Sequence, residues 1–362
     1  MKKLALILGS LVVVSSIASA KEVVATPVTS KEVLPTPIVV CPEVTPEWGP
    51  TGYIDLAAKY YGYDEHNHDS INNRYGRTQL AGSINLTEKS KFEFRARNYV
   101  NLKSNDTFQK ASTTSNNMRF RYFYNHGLLG DSKVNLTSRV QYFNRFAGTD
   151  THDLGYQARL QFAPYFDFMP SWANVSSFML VPKVGYQKTG AEDSNYNVNA
   201  GLDVLTYTEL PLGFELELNM YNTYYNYGTV AEFQGKDGME GSNFDIGFEA
   251  YLYRNFELYS AGKNKLELTT EFGYETYDTY QSKALYVNVA EEGETPTLEK
   301  VKGRSYQAYA LTGLQFTHQY SKTLRMYAWA GGEYKNWNVT AKSEASNWGW
   351  QPQVTVGFRS SF

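Results

Sequence analysis

Arginine stands at alternate positions in Arg95-Ala96-Arg97 and again in Arg119-Phe120-Arg121. On an extended chain that spacing sets both guanidinium groups on one face, where fixed cations attract anions and orient dipoles without making or breaking bonds. Bond-making chemistry would have to come from the histidines, His66, His68, His126, His152 and His318. A lipid hydrolase needs a Ser and His pair, and a surface protease an Asp and His pair with acids at its rim. His66-Asn67-His68-Asp69 could hold a metal. One pair at that spacing in a loop is nevertheless a weak ligand set, and solvated loop side chains are the plainer reading. Cys41 is the single cysteine, so no intramolecular disulfide and no classical zinc site can form. With no Gly-rich phosphate loop, catalytic cysteine or arguable carboxylate pair, no enzyme, metal or cofactor is expected.

The near balance of 34 Lys and Arg against 37 Asp and Glu leaves a formal charge of −3, which excludes a nucleic-acid-binding surface. Lys2 and Lys3, the apolar stretch Leu4 to Ile17 and the small residues Ala18-Ser19-Ala20 read as a signal peptide over residues 1–20. Cleavage there makes Lys21 the first mature residue and, with two lysines lost, brings the charge to −5. Cys41 follows Val39-Val40 far beyond the cut, so lipid attachment is not expected. Residues 21–50 hold Pro27, Pro35, Pro37, Pro42, Pro46 and Pro50 of the 12 prolines and read as an extended periplasmic tether. A spacer that contacts the cell wall or a partner, and a leader with no specific role, are equally open.

From residue 51 to 362 the chain alternates apolar and polar residues in blocks of about ten to fifteen, the mark of strands with one greasy and one wet face. Phe92, Phe94, Ala96, Val100 and Leu102 stand against Lys91, Glu93, Arg95, Arg97 and Asn101. The blocks fall near 51–63, 74–86, 91–103, 117–126, 133–146, 153–168, 178–188, 195–208, 214–227, 243–255, 265–280, 305–318, 323–338 and 348–362. That is about fourteen strands, joined by short turns on one side and mostly long polar loops on the other. A mean hydropathy of −0.47 leaves no spanning helix in this part of the chain. The expectation is therefore an all-β fold, a transmembrane antiparallel β-barrel with short periplasmic turns and long extracellular loops in the bacterial outer membrane. A secreted β-sandwich alternates in the same way, but its strands are about half as long. Tyr60, Tyr61, Tyr63, Tyr122, Tyr124, Tyr221, Tyr224, Tyr225, Tyr227, Trp348 and Trp350 lie at strand ends and suit interfacial girdles.

Charge on the lipid face near the midplane costs about 2 to 4 kcal/mol for Arg or Lys, so the strand charges must point inward. On strands two to seven that gives a basic wall of Arg77, Arg95, Arg97, Arg119, Arg121, Arg139, Arg145, Arg159 and Lys183. On strands nine to eleven it gives an acidic wall of Glu215, Glu217, Asp245, Glu249, Glu267, Glu271 and Glu275, with no base expected among them. In a ring of fourteen, strands three and four face strands ten and eleven. In the last strand, Trp348, Trp350, Pro352, Val354, Val356, Phe358 and Phe362 share one face. Phe358 and the terminal Phe362 look like the signal read by the barrel-assembly machinery.

The chain resembles the fusobacterial major outer-membrane porins of the FomA type. The resemblance rests on Asn85-Leu86-Thr87-Glu88-Lys89-Ser90, Arg95-Ala96-Arg97-Asn98, Tyr122-Phe123-Tyr124-Asn125 with Ser132-Lys133-Val134-Asn135, and Trp350-Gln351-Pro352 leading to Phe362. Ser360 departs from it, where an apolar residue is usual. The resemblance implies a general-diffusion porin for small hydrophilic solutes and ions, a homotrimer seated in outer-membrane lipid, and a family also associated with adhesion to other bacteria or host surfaces. The alternatives are an adhesin without an open pore and a barrel enzyme such as a phospholipase or protease.

Overall fold

Alternation at period two satisfies a membrane only if every backbone group pairs within the sheet, and a sheet without edges must close on itself. The computed structural model shows that closure. It describes residues 49–63, 65, 74–102, 116–147, 149–170, 172–190, 196–228, 234–235, 238–239, 241–276, 280–281, 286–289, 297–300, 306–338 and 346–362. The signal peptide, residues 21–48 of the tether, Cys41, His66, His68 and most of the 281–304 loop lie outside the described residues.

Fourteen antiparallel strands form the ring. They are β1 (Thr51–Tyr61), β2 (Tyr75–Asn85), β3 (Ser90–Asn101), β4 (Asn116–Leu128), β5 (Asn135–Ala147), β6 (Thr149–Gln161) and β7 (Asn174–Thr189). The second half comprises β8 (Tyr196–Glu209), β9 (Glu215–Tyr227), β10 (Ser242–Ala261), β11 (Asn264–Thr276), β12 (Tyr306–Gln319), β13 (Leu324–Asn338) and β14 (Ser346–Ser361). Each strand pairs with its neighbours in sequence, and β14 pairs with β1 from Tyr53↔Ser361 to Tyr61↔Gln353. Phe362 completes the seam: its N–H donates to the Gly52 carbonyl at 3.0 Å, and its carbonyl accepts from the Gly52 N–H at 2.9 Å. At about 4.8 Å between strands and ~40° of tilt, fourteen strands make a ring about 28 Å across.

Which face looks out follows from exposure. Leu80, Val140, Leu154, Val184, Val198, Leu218, Phe272, Leu314, Val354 and Val356 are exposed apolar side chains at even positions. Asp55, Lys59, Gln79, Arg159, Asp203, Asn219, Gln351 and Thr355 are buried and polar at odd ones. The barrel is thus greasy outside and polar inside, the reverse of a soluble protein. Three charged side chains take outward positions in the described barrel strands. Asp150 and Lys188 stand at the long-loop ends, and Arg254 lies against the Gly213 turn. A belt without charge between two rims is what bilayer hydrocarbon requires, and it makes this a bacterial outer-membrane barrel.

Two expectations need correction. Tyr61, Tyr221, Tyr225 and Tyr227 have inward parity and Tyr61 is buried, so they are not girdle residues. Tyr60, Tyr122, Tyr124, Tyr224, Trp348 and Trp350 do face outward and are exposed. The sixth strand ends at Gln161, not near 168. Phe162, Pro164, Phe166 and Phe168 keep the alternation going in sequence, but Pro164 sits within a 3-10 turn over Ala163–Tyr165.

Candidate functional site

The odd positions put their side chains on one inner wall. Across β3 and β4, Arg95 stands directly opposite Arg119, Arg97 opposite Asn117 and Arg121 opposite Glu93. Like charges directly opposed across a ladder destabilise it. The arginines on either side of that pair have acceptors: Arg97 Nε donates to Gln79 Oε1 at 2.6 Å and Arg121 Nε to Gln141 Oε1 at 2.8 Å. Arg121 also lies 3.9 Å from Glu93. Arg77 stands between Lys59 and Tyr99, and Arg145 lies over the Phe143 ring at 5.6 Å. Arg159 is buried and donates to Gln157 Oε1 at 3.2 Å. Arg139 and Lys183 flank Gln157 from either side, and Lys183 meets Asp203 at 2.5 Å.

Across the ring the acids hold tyrosine hydroxyls. Tyr221 Oη donates to Glu249 Oε2 at 2.7 Å, Tyr253 Oη to Glu217 Oε2 at 3.3 Å and Tyr309 Oη to Glu271 Oε1 at 2.5 Å. Glu217 also accepts from Asn219 Nδ2 at 2.7 Å, and Asp245 from Asn243 Nδ2 at 2.6 Å. Glu249 stands opposite Glu275, and Glu215 opposite Tyr253. The expectation of no base on this wall fails at Lys265, whose Nζ lies 2.9 Å from Glu267 and 3.3 Å from Glu257. Lys265 was legible by parity, next to Asn264 at the strand start. It sits at the short-turn end, so the acids nearer the middle of β9 to β11 keep their excess.

Reading charges alone missed a second inward set. Asp55 Oδ2 accepts from Arg359 Nε at 2.7 Å, and its Oδ1 accepts from Tyr327 Oη at 2.8 Å, which ties β1 to β14 and β13. Trp329 Nε1 donates to Thr269 Oγ1 at 2.7 Å, with the indole almost fully buried. Glu333 takes Lys335 at 3.3 Å and Gln353 at 2.8 Å. The same odd parity marks every one of them in the sequence.

The three described histidines lie apart from one another on β4, β6 and β12. His126 Nε2 lies 2.8 Å from Ser138 Oγ, which lies 2.9 Å from Tyr156 Oη on the outer face. That places a serine beside an imidazole, and the third group, Tyr156, reaches the serine and not the ring. His152 Nδ1 meets Tyr142 Oη at 2.8 Å and Asn144 Nδ2 at 2.9 Å, while His318 Nδ1 lies 2.7 Å from Asn264 Oδ1. Among the described residues no cluster of His, Cys, Asp and Glu is arranged to hold a metal.

No known protein family and no curated protein matches the chain. Among solved structures it is similar to the Acinetobacter baumannii outer membrane protein Omp33, with 10% identity, 86% of this chain and 99% of that one covered, and a TM-score of 0.30. It is also similar to Salmonella typhi OmpF in complex with daunomycin, with 8% identity, 86% and 97% covered, and a TM-score of 0.34. A bacterial polysaccharide outer membrane secretin gives 7% identity, 86% and 98% covered, and a TM-score of 0.37. Likeness at this level carries no argument about function, and the fold rests on the barrel's own closed ladder.

Proposed function

We propose that this protein is a general-diffusion porin of the fusobacterial major-porin type, a water-filled passage for small hydrophilic solutes and ions. The observation that carries the reading is the division of inward charge, with the arginines of β2 to β6 on one side and the glutamates of β9 to β11 on the other. Strands β3 and β4 stand seven places from β10 and β11 in the ring of fourteen, so the two sets face each other. One unit-charge pair across ~10 Å of water is worth only about 0.4 kcal/mol. Several aligned pairs nevertheless make a transverse field that turns a dipolar solute and sorts solutes by charge, dipole and size. The Arg95 and Arg119 opposition supports this, since a wall built only for stability would not set two guanidinium groups face to face.

The same reading gives the rest of the chain its roles. Residues 1–20 direct export, residues 21–50 tether the barrel in the periplasm, and Phe358 and Phe362 are read by the assembly machinery. The barrel sits in outer-membrane lipid as a homotrimer, and its long loops are the surface open to other bacteria or host. Purified protein in a planar bilayer should give discrete, ohmic single-channel steps in potassium chloride. Correctly folded protein that never conducts would contradict the porin reading and leave an adhesin without a pore.

A further inference from the structure

The inner wall is dented where glycines meet. Gly155 on β6 faces Gly185 on β7, and together with Arg139, Gln141, Asp153, Lys183 and Tyr225 they bound a recess of about 240 Å³. That is smaller than the roughly 300–1,000 Å³ of a drug-sized ligand site, so the recess suits a small metabolite. Three ladder rows cross it. Arg139, Gln157 and Lys183 form a basic row on the short-turn side. Gln141, Gly155, Gly185, Asn199 and Tyr225 form the floor. Asp153, Gln187 and Asn197 form the row nearer the long loops.

Asp153 lies four residues from Gln157 along β6, about 13 Å in Cα spacing, and side chains from both rows reach over a floor that has none at Gly155. Arg139 and Lys183 flank Gln157 in the basic row, with Lys183 holding Asp203 at 2.5 Å; the Arg139 guanidinium has the planar geometry that matches a carboxylate, and Lys183 adds charge beside it. The recess therefore sets two cations, beside Asp203, in one row and Asp153 in the other, with side-chain amides between. We propose that it is a binding subsite for short zwitterions of the amino acid and dipeptide class. The solute carboxylate meets Arg139 and Lys183, its ammonium meets Asp153, and its peptide group meets the amides of Gln141, Gln157 and Asn199. The inference rests on the porin reading and goes beyond it, because a general-diffusion pore needs no subsite.

Gly155 supplies a clean variant. A Cβ there would meet nothing nearer than the Val184 carbonyl oxygen at 3.7 Å, so the position accepts a side chain, and Gly155→Leu directs its branch into the recess. Gly201, two strands over on β8, offers no such choice, since a Cβ there would collide with the Asn222 backbone. The experiment is uptake by liposomes holding the full-length protein, with alanyl-alanine compared with its acetylated and amidated counterpart, beside single-channel recording of the same wild-type preparation. In wild type, alanyl-alanine should enter saturably and about threefold faster at low concentration than the capped compound, the scale of one weak ion pair at each end. Gly155→Leu, verified as folded by its heat-modifiable migration, should bring the ratio to about one, and Asp153→Asn should lower it. Equal, unsaturable uptake of both compounds through a conducting wild-type channel overturns the subsite and leaves the porin. Preserved preference in folded Gly155→Leu also overturns it. Absence of conductance overturns the porin reading and the subsite with it.

Discussion

Asp55 ties three strands of this barrel together. Its side chain is nearly inaccessible, at 4%, and it joins the first strand to the last through Arg359 and to the thirteenth through Tyr327. Removing one partner of such a pair strands the other, at about 3 to 5 kcal/mol when both are buried. Arg359 keeps 26% of its side chain accessible, so Asp55→Ala should cost about 2 to 4 kcal/mol after solvent screening. The urea midpoint of the refolded barrel measures it, and a midpoint equal to wild type would show that the seam is held by backbone pairing alone. At this scale the sequence was legible in part. Parity separates the inward charges from the apolar outer face, because a charge in lipid is too costly to leave there, with Asp150, Lys188 and Arg254 outward toward the rims. It did not reveal that Glu217, Glu249 and Glu271 each hold a tyrosine hydroxyl, since register between strands is invisible in one sequence and tyrosine suits either face.

All fourteen strands are legible in the sequence, and three of the misplaced boundaries have a common cause. Alternation runs only while the register does. The bulges between Asn125 and Gly127, Val175 and Ser177, and Glu257 and Tyr259 each insert a residue and flip the parity beyond them. The reading stopped or started beside each one, at 126, 178 and 255, whereas the strands run to Leu128, from Asn174 and to Ala261. All three bulges lie toward the short-turn rim, where strands leave the bilayer and the demand for strict alternation lapses. The turns themselves fix the topology. Cysteines placed singly at 88, 211 and 321 should resist a membrane-impermeant maleimide in intact cells, and cysteines at 70, 110, 235 and 292 should react. The opposite pattern would invert the barrel.

Over the whole molecule, the ring closes at Phe362. Its backbone makes both hydrogen bonds to Gly52, so deletion removes part of the seam as well as the terminal aromatic. Phe362→Asp keeps those bonds and changes the side chain alone. If the ring is what the assembly machinery reads, Phe362→Asp should lower outer-membrane yield in cells nearly as far as deletion does, while refolding into detergent proceeds as in wild type. Full yield of Phe362→Asp would assign the residue to closure and not to recognition.

The claim on which the account turns is that charges on opposite walls act on what passes between them. Reversal potential in a salt gradient tests it most directly. Neutralising Arg95, Arg97, Arg119 and Arg121 leaves the acids of β9 to β11 unopposed and should move selectivity toward cations, while neutralising Glu217, Glu249, Glu267 and Glu271 should move it toward anions. Both shifts should shrink as salt rises from about 0.1 M to 1 M and the screening length falls from ~10 Å to ~3 Å. Selectivity unchanged at low salt in both sets of variants would mean that these side chains do not line the conducting path, and the opposed-wall mechanism would be wrong.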